Sequence, residues 1–240
     1  MFSLSIVLPA HNEEATVASV VEEVSSVAQQ LGMDYEIVLV NDGSTDRTGE
    51  IARELAQRIP NFRLVELEPS PTPHYGKVLR TGFEHAAKDL IAFFPTDKQF
   101  VFGEIERLLE CLDEADIVSG YRAERADNVV RRLNASGWNI VVRVLFGYLC
   151  RDIDCGFKVF RRKILERVHL ASEGAMIDTE LLAGARARGY RIAEVPVSHL
   201  PRRAGAATGA NLTVIVKAFR DLVRFRQRLS RELREERRVC

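Results

Sequence analysis

Two carboxylates, a turn glycine and two hydroxyls stand together in Asn41-Asp42-Gly43-Ser44-Thr45-Asp46, directly after the aliphatic run Ile37–Val40. A run so short and so apolar reads as a strand covered on both faces. Ligands in open α/β sheets lie beyond the carboxyl ends of the strands, which is where this loop falls. Carboxylates there suit a base or ribose edge that donates hydrogen bonds, or a cation; they repel a bare phosphate. An Asx-type turn with a helix cap accounts for the same residues, and on this loop alone both readings stand. Two more polar loops follow apolar runs: Pro9 to Glu14, which holds His11 and Glu13, and Pro95-Thr96-Asp97-Lys98-Gln99. Asp97 and Gln99 offer the hard oxygens a divalent cation takes, with a capping aspartate as the alternative. The chain has no GxGxxG after its first strand and no GxxxxGK[ST], so dehydrogenase and P-loop readings lose their main support, and a site that holds its diphosphate through a cation remains.

These loops need strands beneath them and helices between. The pattern predicts strands over residues 4–9, 37–40, 62–67, 90–94, 116–119 and 191–197, with Cys155-Gly156-Phe157 on a further strand. Helices are predicted from Val17 towards Gly32, on the face of Ile51, Leu55 and Ile59, from Tyr75-Gly76-Lys77 through Lys88, up to Asp113, and from Asp178 to before Gly189. Asn12 is expected to cap the first helix, with Glu13 and Glu14 in its first turn. Alternating β and α elements imply a doubly wound parallel sheet. At 240 residues and 46% hydrophobic, the chain can bury one good core. Lys+Arg and Asp+Glu are both 34, so global charge selects no partner, and no nucleic-acid partner is expected. Four cysteines without metal spacing read as reduced thiols, with Cys155 a small packing residue. No basic leader precedes the first strand, and no window of about 18 apolar residues is present to span a bilayer.

Leu-Pro-Ala-His-Asn-Glu-Glu (8–14), Val-Asn-Asp-Gly-Ser-Thr-Asp (40–46) and Asp-Cys-Gly-Phe-Lys-Val-Phe-Arg (154–161) resemble the motifs of family-2 glycosyltransferases of GT-A fold. Dolichol- and polyprenol-phosphate mannose or glucose synthases are the members they resemble most. The resemblance covers roughly residues 3 to 205 and implies an α/β fold with a mostly parallel sheet flanked by helices. It implies transfer of a sugar from a GDP- or UDP-sugar to polyprenyl phosphate, with inversion. By position, Pro9, His11 and Glu13 would border the nucleotide and Asp42 would meet the base; Asp46, Lys77, Thr96 and Asp97 complete the expected donor set. The family's metal motif Asp-x-Asp-x-Gln falls on Pro95, Asp97 and Gln99, so Asp97 and Gln99 are the expected ligands of a Mg²⁺ or Mn²⁺ ion. Proline has no side-chain donor, so that ion should bind more weakly. Arg122, Arg132 and Ser136 fall where relatives meet the lipid phosphate, and Arg202 and Arg203 where arginines close over the phosphates. Asp97 and the four arginines are the groups expected to act in the transfer. A nucleotidyltransferase lacks its usual loop here. A non-catalytic nucleotide-sugar binder and a transferase with a soluble glycan acceptor remain the competing readings.

The chain then divides at residue 210. Ile215, Phe219, Leu222, Phe225, Leu229 and Leu233 recur at helical spacing among arginines, predicting a basic amphipathic helix over 211–236. Its uses are an anionic membrane surface or a partner helix in a homodimer. The apolar segment 136–149, with Trp138, Phe146 and Tyr148, suits either a bilayer interface or a core helix. The expected location is cytoplasmic, peripheral at the membrane face.

Overall fold

The computed structural model describes residues 2–69, 73–123, 129–201 and 212–239, with the side chains of 129–136, 212–218 and 239 outside the description. The strands are β1 (Leu4–Ala10), β2 (Tyr35–Asn41), β3 (Phe62–Glu66), β4 (Leu90–Phe93), β5 (Ile117–Arg122), β6 (Lys158–Arg161) and β7 (Ile192–Val197). The α-helices are α1 (Val17–Gln30), α2 (Thr48–Arg58), α3 (Tyr75–His85), α4 (Ile105–Glu110), α5 (Val129–Phe146), α6 (Met176–Ala187) and α7 (Leu212–Val239). The strands form one sheet in the order β3-β2-β1-β4-β6-β5-β7.

Every pairing is parallel except the two made by β6, which runs against both β4 and β5. The sheet is therefore mostly parallel, not wholly so as the β-α alternation implied. Along β1, Leu4, Ile6 and Leu8 face a layer built with α1, α2 and α4. Val7 faces the other way, with Val38, Val40 and the helices α3, α5, α6 and α7. This two-sided burial is why β1 and β2 read as unbroken apolar runs.

Several local expectations change. Asn12 does not cap α1; it takes a left-handed φ of 54°, and the helix begins only at Val17. Glu13 and Glu14 therefore lie in the preceding turn. α3 stops at His85 and not Lys88, because Ala86 turns extended. The helix expected up to Asp113 is α4 followed by a separate 3₁₀ turn over Cys111–Asp113. Cys155 to Phe157 is a loop, and the strand begins at Lys158. Cys155 is fully buried, as a packing residue should be, and Cys111, Cys150 and Cys155 are free thiols.

The stripe on α7 is largely used inside the fold. Leu222, Phe225 and Leu229 are buried in the layer with α6, and Phe225 stacks on Phe146 of α5 at 5.3 Å. Arg188, whose side chain is only 1% exposed, donates to Glu232 and Glu236 of α7. Arg228 of α7 donates to Glu180 of α6 at 2.6 Å. Phe219 and Val223 stay exposed.

Candidate active site

Parallel pairing sends the ends of β1, β2, β4, β5 and β7 to one edge of the sheet, in register Ala10↔Asn41, Val7↔Phe93 and Arg122↔Val197. Because β6 is antiparallel, it is its entrance that reaches this edge, with Lys158 opposite Phe93. Six segments therefore converge there: 11–14, 42–46, 94–99, 122–123, 152–157 and 198–201.

The first two are laced together. The Asn12 N–H donates to Ser44 Oγ at 3.0 Å, and Asn12 Oδ1 accepts from the Thr45 N–H at 2.8 Å. The N–H groups of Glu13 and Glu14 donate to Thr48 Oγ1 and Asp46 Oδ2. His11 Nδ1 lies 2.8 Å from the Asp42 carbonyl oxygen, a bond it can make only as donor. Asp46 thus braces the loops. Burial works to raise its pKa, but bonds from the Thr48 hydroxyl, the Thr48 N–H and the Glu14 N–H outweigh it and hold the carboxyl below its usual value. Asp42 is buried, and its Oδ2 accepts from the His74 N–H at 2.7 Å. Gly43 makes that packing possible: its φ is +57°, and a Cβ would stand 2.5 Å from Pro69 Cα. Lys77 sits in the first turn of α3, just past His74.

After β4, Thr96 Oγ1 donates to the Pro9 carbonyl at 2.8 Å, joining the third segment to the first. Asp97 Oδ1 accepts from the Gln99 N–H at 3.1 Å. Gln99 is buried, and its amide nitrogen lies 3.3 Å from both His199 Nε2 and the Leu200 carbonyl oxygen. The Leu200 N–H donates back to the Gln99 carbonyl at 2.8 Å. Gln99 therefore clasps the segment that follows β7. Pro95 packs instead on Gly156, where an added Cβ would meet its ring at 2.8 Å.

Beneath Pro95 lies a group of charges of which the sequence had marked only Arg122 as a site residue. Arg122 donates to Asp152 through Nε at 2.6 Å and Nη2 at 2.7 Å, with both side chains under a tenth exposed. Lys158 is wholly buried and donates to Asp178 Oδ1 at 2.6 Å and to the Cys155 carbonyl. Burial opposes its charge, but Asp178 beside it prevails and raises its pKa. Asp154 has no such cation: its Oδ1 is buried without a hydrogen-bond partner. Burial first, then Asp178, pushes its carboxyl up to about 7. Burial, with Asp178 and Asp154 behind it, holds the Tyr75 hydroxyl well above its ordinary value. Apart from Arg122, the sequence signal for this group was the 154–161 motif, which carried only the resemblance.

A measurable pH dependence follows. A carboxyl raised on folding retains its full contribution below its unfolded pKa of about 4 and loses it as pH climbs through the folded value near 7. In cation-free buffer, Asp154→Asn should match the parent's melting temperature near pH 4 and exceed it by several degrees at pH 8. The sign comes from removing a buried negative charge, worth about 1–4 kcal/mol. Parallel melting curves across that range would show that Asp154 ionises freely.

A divalent cation fits here in a limited way. Among the described residues no group of three or more His, Cys, Asp or Glu could hold one. Asp97 at the mouth and the unpartnered Asp154 oxygen suit an ion shared with a bound diphosphate. Of the acceptor residues expected from sequence, Arg122 reaches this edge on Asp152. Arg132 and Ser136 lie on α5 in the part whose side chains are outside the description, and Arg202 and Arg203 lie outside the described residues.

Residues 5–168 match the model for "Glycosyl transferase family 2". The undecaprenyl-phosphate 4-deoxy-4-formamido-L-arabinose transferase of Edwardsiella ictaluri is 31% identical over 222 residues, covering 92% of this chain and 66% of that protein. The enzyme of the same name from Pseudomonas aeruginosa (strain LESB58) is 31% identical over 221 residues, covering 92% and 64%. The chain thus spans just under two thirds of the length of these relatives. Among solved structures, glucosyl-3-phosphoglycerate synthase of Mycobacterium tuberculosis in complex with UDP superposes with a TM-score of 0.70 at 23% identity, covering 95% of this chain and 80% of that one. That likeness fixes the GT-A fold, and the match over 5–168 fixes the family: the chain belongs to glycosyl transferase family 2.

Proposed function

We propose that this chain moves a sugar from a nucleotide-sugar donor to a polyprenyl phosphate, inverting the anomeric carbon. The observation that carries the reading is the meeting, at one sheet edge, of the buried Asp42 with Asp97 and the Arg122 guanidinium. Pro9, His11 and Glu13 border the nucleoside of a GDP- or UDP-sugar, Asp42 accepts from its base, and Lys77 and Thr96 flank the diphosphate. A divalent cation, Mg²⁺ or Mn²⁺, held by Asp97, would offset the charge that gathers on the departing diphosphate. The acceptor needs no strong base, since a phosphate monoester with a second pKa of about 6 is already a nucleophile at neutral pH. Arg122, Arg132, Ser136, Arg202 and Arg203 would orient it, guanidinium forks matching phosphate oxygens. The names of the curated relatives support polyprenyl phosphate as acceptor.

A lipid acceptor requires approach to a bilayer. Among the described residues no helix is long and apolar enough to cross one. Ile140 and Val144 of α5 are 63% and 79% exposed, opposite the buried Val142, and Phe219 and Val223 of α7 are also exposed. Arg143, Arg220 and Arg224 are exposed on the same two helices, and exposed apolar side chains among arginines suit an anionic headgroup zone. The chain would then lie peripherally at the cytoplasmic face; a homodimer is the competing use of that surface.

The test is transfer of labelled sugar from GDP- and UDP-sugars to polyprenyl phosphate in anionic vesicles, with a soluble glycan as control acceptor. Label entering only the glycan overturns the lipid reading. Nucleotide binding without transfer to either acceptor would favour the non-catalytic binder that Pro95 suggests. Within the donor site, Asp42→Asn should weaken nucleoside diphosphate binding by about 1.5–3 kcal/mol, the worth of a hydrogen bond to a charged group. Calorimetry showing unchanged affinity, with the fold intact, would remove Asp42 from the base.

A further inference from the structure

We infer that Asp154 supplies the second carboxylate of the donor site, in place of the side chain that Pro95 cannot provide. The inference rests on the donor site proposed above and adds a residue to it. Pro95 stands near the start of the loop after β4, and its ring lies on Gly156, so the loop 152–157 occupies the space beside it. Tyr75 spans the same gap, its hydroxyl oxygen 3.9 Å from a Cβ built on Gly156.

The charges in that loop do not balance. Asp152 is matched by Arg122, and Asp178 by Lys158. Asp154 is left with a buried Oδ1 and no donor. A buried polar atom without a partner is costly, and a fold that keeps one generally uses it. The missing partner must bring positive charge or a hydrogen-bond donor. A cation shared with a nucleoside diphosphate would supply the former, with Asp97 on the neighbouring loop as its other carboxylate. Antiparallel β6 makes the substitution possible, since its entrance lies beside the mouth of β4.

Manganese binding, read by loss of the free-ion EPR signal, tests this apart from activity. The unmodified chain, Asp154→Asn, Asp97→Asn and Pro95→Asp/Asp154→Asn are titrated with Mn²⁺ in saturating UDP and, in parallel, GDP. Asp154→Asn should weaken Mn²⁺ binding by at least about tenfold, the scale on which losing a metal's supporting group acts. Pro95→Asp/Asp154→Asn should return to within about threefold of the parent, a recovery that a merely structural role for Asp154 would not give. Unchanged Mn²⁺ affinity in Asp154→Asn, with Asp97→Asn impaired, overturns the inference and leaves the donor site standing. Weakened binding of the nucleotide sugar alone, with Mn²⁺ and diphosphate unaffected, overturns it too by placing Asp154 on the sugar. An unmodified chain that binds neither nucleotide overturns both readings.

Discussion

Removal of residues 212–239 is expected to leave a chain that no longer folds cooperatively. Helix α7 places Leu222, Phe225 and Leu229 in the layer beside α6, each 5% exposed or less. Burying one such side chain is worth about 1.5–3 kcal/mol, so three contribute about 5–9 kcal/mol. A whole domain is stable by about 5–15 kcal/mol. Truncation would also bare Leu181 and Leu182 and leave the Arg188 guanidinium without Glu232 and Glu236. The single change Phe225→Ala should cost about 3–5 kcal/mol, since it also empties the stack on Phe146. Thermal and urea unfolding measure both. A truncated chain that melts where the parent does would mean the helix is an appendage after all. Because the helix is part of the core, vesicle binding is better tested by Phe219→Ser and Val223→Ser with Ile140→Ser and Val144→Ser, which change only exposed positions.

The sequence showed the periods of the elements but not what each face meets. The stripe on α7 was legible as amphipathic, yet a stripe of that spacing fits a bilayer, a partner or a core equally well. What decides is non-local: Glu180 on α6 and Arg188 just past its end sit where Arg228, Glu232 and Glu236 of α7 can reach them. The three loops after β1, β2 and β4 were legible because parallel strands end in the same place. The fourth was not. Alternating β and α elements carry no mark that one strand runs backwards, and β6 is only four residues long. Lys158 illustrates the difficulty, since a lysine argues for an exposed strand until Asp178, twenty positions later, is found against it. Asn12 failed as a helix cap for a related reason. Its short amide serves a left-handed turn as readily as a cap, and the choice is made by Thr45, which lies on another loop.

Asp97→Ala is expected to reduce sugar transfer by about 10²–10³-fold or more, the cost of losing one preorganised group at the point where charge develops. The expectation is stronger here than where two aspartates flank the motif. Pro95 contributes no oxygen, and Gln99 spends its amide nitrogen on His199 and Leu200. Asp97 is thus the one carboxylate that the β4 loop offers to a donor diphosphate. Asp97 Oδ1 accepts from the Gln99 N–H, a bond that Ala would remove at a cost of about 0.5–1.5 kcal/mol. Loss of turnover with an unchanged circular dichroism spectrum would therefore report chemistry and not collapse. Asp97→Asn separates the two contributions of the side chain, because the amide keeps the turn but gives up the charge; it should remain within about tenfold of Asp97→Ala if charge is what matters. Assays run with Mn²⁺ and again in excess chelator close the argument. Full turnover by Asp97→Ala in chelator would mean that the diphosphate leaves without a cation, and the arginines at 122, 132, 202 and 203 would have to carry its charge alone.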